Sequence, residues 1–154
     1  MNDLEKHIVT GSYEPQTGDR CLYIPMNDEF GMKLYHECAA RDASWENQDI
    51  GFEAHIGPEA MECFTVSEET TQHIFKELDS YIPTDWCGEI TKLWGFVTQS
   101  VEEVPITDEE LEELSNRMME NGFAARDLMC DFNVGKLDGQ AVCLDFDAYT
   151  VGQM

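Results

Sequence analysis

Residues 20–35 read RCLYIPMNDEFGMKLY, and this stretch decides the fold class. Arg20–Ile24 is β-rich and stops at Pro25, Met26–Glu29 carries turn residues, and Phe30–Tyr35 resumes an extended pattern. Two such runs joined by a short polar connection predict an antiparallel hairpin. Toward the N-terminus, Gly11–Gly18 reads as a flexible glycine-containing turn, and Ile8–Thr10 offers a first strand. Toward the C-terminus, His36 to about Ala54 is predicted helical and closes near Gly57-Pro58. Glu62–Val66 is a short strand. Ser67 then caps a second helix whose first turn is acidic, whose apolar stripe is Ile74, Phe75 and Leu78, and which Pro83 ends.

Farther along, Leu93–Gln99 reads LWGFVTQ, a buried strand. Thr107 and Glu110 form the Thr-x-x-Glu pattern of a capping box. Leu111, Leu114 and Met118 mark one face of the helix that follows, and Gly122 after Asn121 is its stop. Asp138-Gly139, between the runs Asn133–Leu137 and Gln140–Leu144, is a strong hairpin signal. The expected fold class is α+β. Trp86, Trp94, Met118 and Met119 are expected in the core.

The 154 residues suit one compact domain, and a 42% hydrophobic content is enough to bury a core. Asp and Glu number 32 against 9 Lys and Arg, a formal charge of −23. A surface of that sign repels nucleic-acid phosphates and anionic membranes, and it attracts basic proteins through its long-range field. No run approaches the length of a membrane span, and MNDLEKHIVTGSYE lacks the basic and apolar regions of a signal peptide. A cytoplasmic location with reduced, mostly buried thiols is therefore expected. The six cysteines are scattered and form no CxxC pair. His36 and Cys38 lie two apart, a spacing that chance supplies more often than metal binding does.

The chemistry concentrates in the tail, DLMCDFNVGKLDGQAVCLDFDAY. Asn133 and Asp145 flank the tight hairpin, so an amide oxygen and a carboxylate approach one end of a two-stranded ribbon. Hard oxygen donors of this kind suit Mg²⁺, and Asp147 adds a third oxygen or faces solvent.

These residues resemble the catalytic and metal loops of protein kinases and the related small-molecule kinases, in which an Asn, a hairpin and an Asp-Phe-Gly close the nucleotide site. Asp145-Phe146-Asp147 looks like the metal-binding triplet with Asp147 in place of Gly, as in kinase-like proteins of phages and bacteria. Phe30-Gly-Met-Lys33 resembles the strand whose Lys pairs with the α- and β-phosphates. Glu46 and Glu53 are the candidates for the helix glutamate that faces that Lys. The resemblance implies a kinase-like N-terminal antiparallel sheet with a helix, a truncated helical lobe and a C-terminal β-hairpin. Residues 1–100 are then N-lobe-like and 101–154 a minimal C-lobe. ATP and Mg²⁺ are the implied ligands, with Lys33, Glu46, Glu53, Asn133 and Asp145 at the nucleotide and Asn133 and Asp145 on the metal.

Three departures qualify the resemblance. The loop Gly11–Gly18 lacks the GxGxxG pattern. Counting back the family spacing from Asn133 reaches Leu128, so the candidate catalytic base, Asp127, stands one residue off, and Arg126 occupies the place of the motif's His. Seven residues follow Asp147, where complete kinases continue into an activation segment and helices. The expectation is a pseudokinase that binds and modulates another, host protein. The alternatives are an acidic DNA-mimic inhibitor of a basic nucleic-acid-binding protein and an active minimal kinase. For single residues the competing expectations are an edge-strand position for Lys33, a turn role for Asn133 and a loop carboxylate for Asp145.

Overall fold

The structure, a computed structural model, describes residues 2–18, 20–101, 104–123 and 134–143. It is α+β: a five-stranded antiparallel sheet, four α-helices and a separate C-terminal hairpin. In chain order the elements are α1 (Asp3–Thr10), β1 (Gln16–Thr17), β2 (Leu22–Pro25), β3 (Phe30–Tyr35), α2 (Cys38–Glu53), β4 (Ala60–Val66), α3 (Glu68–Glu77), β5 (Leu93–Gln99), α4 (Asp108–Glu120), β6 (Val134–Leu137) and β7 (Gln140–Cys143). A 3₁₀ turn over Asp79–Tyr81 follows α3. The residues group into two compact units, one of 1–42 with 61–98 and the other of 43–60 with 99–154.

The first unit carries the sheet, ordered β1-β2-β3-β5-β4. The hairpin expected from residues 20–35 is present, with Tyr23 opposite Lys33 and Ile24 opposite Met32. Asn27 closes its turn by accepting from the backbone N–H groups of Glu29 and Phe30. One face of the sheet is the apolar core: Leu22 and Ile24 of β2, Met32 and Leu34 of β3, Val66 and Leu93 pack with Ile8 of α1, Ile74 of α3 and Trp86. Gly95 lets β5 run tightly against β3, since a Cβ there would lie 2.8 Å from the Lys33 carbonyl oxygen and 2.7 Å from Leu34 Cδ2.

Ile8–Thr10, expected as a strand, form the end of α1. The side chain of Asn2 caps that helix by accepting from Glu5 N–H, Asp3 and Glu5 favour its positive end, and Leu4 and Ile8 share its buried side. A three-residue apolar run was too short to outweigh these N-terminal signals. Trp86 is buried as expected, whereas Trp94 is half-buried.

In the second unit, Ile56, Leu114, Met118, Phe123, Val134, Ala141 and Cys143 form a separate core. The α4 capping box is complete: Thr107 Oγ1 accepts from Glu110 N–H, and the Glu110 carboxylate accepts from Thr107 N–H. The Glu110 carboxylate also meets Lys136 Nζ of β6 at 3.0 Å. Arg117 donates to the carbonyls of His55 and Ala141, and Cys143 N–H donates to Ile56 O, which together tie α4, the turn after α2 and β7. Asp138 (φ 54°) and Gly139 (φ 80°) make the expected turn with both central residues left-handed. Met118 is in the core, but Met119 is 50% exposed, because it falls one step around the helix from the buried stripe.

Glu5 connects α1 to α3. Its carboxylate accepts from Ser67 N–H at 2.8 Å, at the cap of α3. Burial pushes the Glu5 carboxyl up, but hydrogen bonds from Ser67 and Thr70 and from the backbone near Asn2 outweigh that and hold it below the ordinary carboxylate value. A depressed native value means the stabilisation is complete above the unfolded carboxylate range and is lost as pH falls through the native one. Glu5→Gln is therefore expected to destabilise by about 1–2 kcal/mol at neutral pH in urea unfolding, and the gap from wild type should close as the solution is acidified. A gap that is constant with pH would contradict this role.

Candidate functional site

Period-two alternation in β3 sends Met32 and Leu34 to the apolar core and Lys33 and Tyr35 to the opposite face. On that face Lys33 is 7% exposed, with Nζ 5.8 Å from the centre of the Phe96 ring. Tyr35 stacks on the same ring at 6.1 Å. Phe96 is fully buried on β5, the neighbour of β3, so the ring bridges the ammonium and the tyrosine. Desolvating an ammonium costs several kcal/mol, and an aromatic face returns about 0.5–2 kcal/mol of it. A cation at such low exposure attracts an approaching anion more strongly than one in water, because the Coulomb interaction runs through a lower dielectric. Lys33 is not an edge-strand lysine: β3 is the third of five strands.

A second cation sits where the first turn of α2 meets the sheet. Arg41, 9% exposed, donates from Nη1 to Phe64 O of β4 at 3.1 Å and to Gly95 O of β5 at 3.0 Å. Its Nε lies 2.6 Å from Asp42 Oδ1, and its Nη2 lies 3.8 Å from Cys38 Sγ. Burial works against the charged guanidinium, but the hydrogen bond and charge of Asp42 help to raise its pKa. Partial desolvation pushes the nearby Cys63 thiol up in spite of the Arg41 charge.

Arg41 was not singled out in the sequence, although a signal for it existed. A basic residue in the first turn of a helix runs against the helix dipole. Such a placement asks for a tertiary partner, and the two strand carbonyls supply one.

Of the residues expected at a nucleotide site, Lys33 belongs to the first unit, and Glu46 and Glu53 are exposed positions of α2 in the second. Asp127, Asn133, Asp145 and Asp147 lie outside the described residues. His36 and Cys38 take separate partners: His36 stacks on Trp86 at 5.9 Å and faces Glu37, while Cys38 meets Asp42 and Arg41. Among the described residues no group of three His, Cys, Asp or Glu side chains is arranged to hold a metal, and no helix is long and apolar enough to cross a membrane.

No family model matches the sequence, and no curated protein matches it.

Arg41→Ala is expected to destabilise by about 2–3 kcal/mol, because it strands two strand carbonyls, whereas Asp42→Asn should cost under about 1 kcal/mol, Asp42 being largely exposed. Urea unfolding of the two variants checks the order, and a larger loss at Asp42 would refute it.

Proposed function

We propose that this chain is a small acidic kinase-like protein, a pseudokinase, that acts by binding and modulating a basic host protein and retains weak Mg-nucleotide binding. The observation that carries the reading is Lys33. It is a buried lysine on the third strand of an antiparallel sheet, and a helix follows that strand directly. In protein kinases the lysine that pairs with nucleotide phosphates occupies a third strand, and the next helix supplies its glutamate. The buried ammonium of Lys33 suits a polyphosphate. The sequence resemblance implies Asn133 and Asp145 as oxygen donors to a Mg²⁺ that would accompany the nucleotide and neutralise phosphate charge.

The non-catalytic part of the reading rests on the sequence around Asp127, which stands one residue from the place the family requires of its base. A general base works only within about 3 Å of the proton it takes. The protein-binding part rests on charge. Asp108, Glu109, Glu112 and Glu113 are exposed on the first turns of α4, within a chain of net charge −23. A field of that sign speeds encounter with a basic partner.

The same charge favours a second reading, an inhibitor that occupies the basic groove of a nucleic-acid-binding protein in place of DNA. The two readings part at Lys33: groove binding would weaken steeply with salt and be indifferent to Lys33→Met.

Thermal unfolding with and without Mg-ATP, on wild type and Lys33→Met, tests the first reading. Nucleotide at about 100 times its Kd stabilises by about 2.7 kcal/mol, so a weak site should still raise the wild-type midpoint at millimolar ATP and leave that of Lys33→Met unchanged. An equal shift in both proteins, or none in either, would remove the nucleotide component. Phosphate transfer lost on Asp127→Ala would replace the pseudokinase with an active minimal kinase.

A further inference from the structure

One exposed cysteine of the first unit touches the Arg41 guanidinium, and a second precedes the β4 residue whose carbonyl that guanidinium holds. Cys38 opens α2 and is exposed; its Sγ lies 3.8 Å from Arg41 Nη2 and 3.7 Å from Asp42 Oδ2. Cys63 is exposed on β4, one residue before Phe64, whose carbonyl accepts from Nη1 of the same guanidinium at 3.1 Å. Phe64 packs against the apolar core, so strand alternation sends Cys63 to the opposite face. The electrostatic influence of both Arg41 and Cys38 on the Cys63 thiol agrees with that placement. Cys87 is exposed too, so three of the five described cysteines lie at the surface, against the expectation of mostly buried thiols.

We propose that Cys38 and Cys63 are a redox modification site, oxidised by hydrogen peroxide to an intramolecular disulfide. Cys38 is the attacking thiol. It is solvent-accessible, sits in the first turn of a 16-residue helix and touches a cation held in place by two strand carbonyls. Exposure admits peroxide to the sulfur, and the neighbouring guanidinium is the cation beside it, while the Asp42 carboxylate accepts from the same thiol. In the first step sulfur attacks one peroxide oxygen, the O–O bond breaks, water leaves and Cys38 becomes a sulfenic acid. In the second, the Cys63 sulfur displaces the sulfenic oxygen, which departs as a second water with the Cys63 proton. Two thiols lose two protons and two electrons, and these reduce one peroxide to two waters. The product ties the start of α2 to β4 and is reversed by thiol reductants. The proposal is independent of whether Lys33 meets a nucleotide, and neither sulfur belongs to the residues assigned to nucleotide binding.

The test is peroxide treatment of the full chain followed by mass spectrometry under non-reducing conditions. The expected result is loss of two hydrogen atoms per chain, a Cys38–Cys63 linked peptide as the main product, and full recovery with dithiothreitol. Cys38→Ser and Cys63→Ser should each abolish that peptide, and Cys87→Ser should leave it intact. Both sulfurs are exposed, so the serine variants are expected to fold, and their thermal midpoints before oxidation check this. In Cys63→Ser a sulfenic-acid probe should label Cys38, which also reports on the first step if the linked form proves hard to isolate. A dominant linkage involving Cys87 or a second chain, or oxygen addition at Cys38 and Cys63 without a link in the wild type, would overturn the proposal.

Discussion

The central constraint on the first unit is the burial of cations inside a chain whose surface carries a large negative excess. Lys33 and Arg41 are the buried cations among the described residues, on a protein of net charge −23. Water would solvate either group at no cost, so their positions need an explanation in contacts. For Arg41 the contacts are structural: one guanidinium joins the carbonyls of two neighbouring strands and the carboxylate of Asp42. For Lys33 one contact is aromatic, with the Phe96 ring beneath its ammonium and Tyr35 stacked on the same ring. A strand interior selects against lysine unless its charge is balanced or used, which is why Lys33 carries the proposed nucleotide reading.

The remaining architecture of that unit serves to hold this face still. Gly95 permits the close approach of β5 to β3 that brings Phe96 beside Lys33, and the core on the other face fixes the pleat. Glu5 closes the start of α3 against α1, which keeps Ile8 and Ile74 over the strands. The second unit is stabilised by different means, chiefly the α4 capping box, the Glu110–Lys136 pair and the two carbonyls gripped by Arg117.

Much of the fold was legible because its signals are local. The hairpin at residues 20–35, the strand Leu93–Gln99, the Ser67 and Thr107 caps and the Asp138-Gly139 turn all depend on neighbours within a few residues. The exceptions follow from the same logic. Ile8–Thr10 carried strand-forming side chains, but the cap at Asn2, six residues upstream, decided the matter. Met119 sits beside a core residue in sequence and a solvent-facing one in helical phase. The candidate site was harder to read. Lys33 was visible as a lysine in an apolar strand, whereas its central place in the sheet follows from β5 pairing across a long connection. Cys38 and Arg41 are neighbours by helical spacing, but Arg41 reaches the carbonyls of Phe64 and Gly95 only through long-range order, which spacing along the chain does not encode.

The proposal that matters most is that the buried Lys33 ammonium takes part in an anion site. Selective isotope labelling of lysine side chains makes it directly observable by NMR, since the five lysines are Lys6, Lys33, Lys76, Lys92 and Lys136. Titration with Mg-ATP should move the Lys33 signal along a saturating curve while those of Lys6 and Lys76 stay in place. A Lys33 signal that stays fixed through millimolar nucleotide, or one that moves no more than the surface lysines do, would contradict the account.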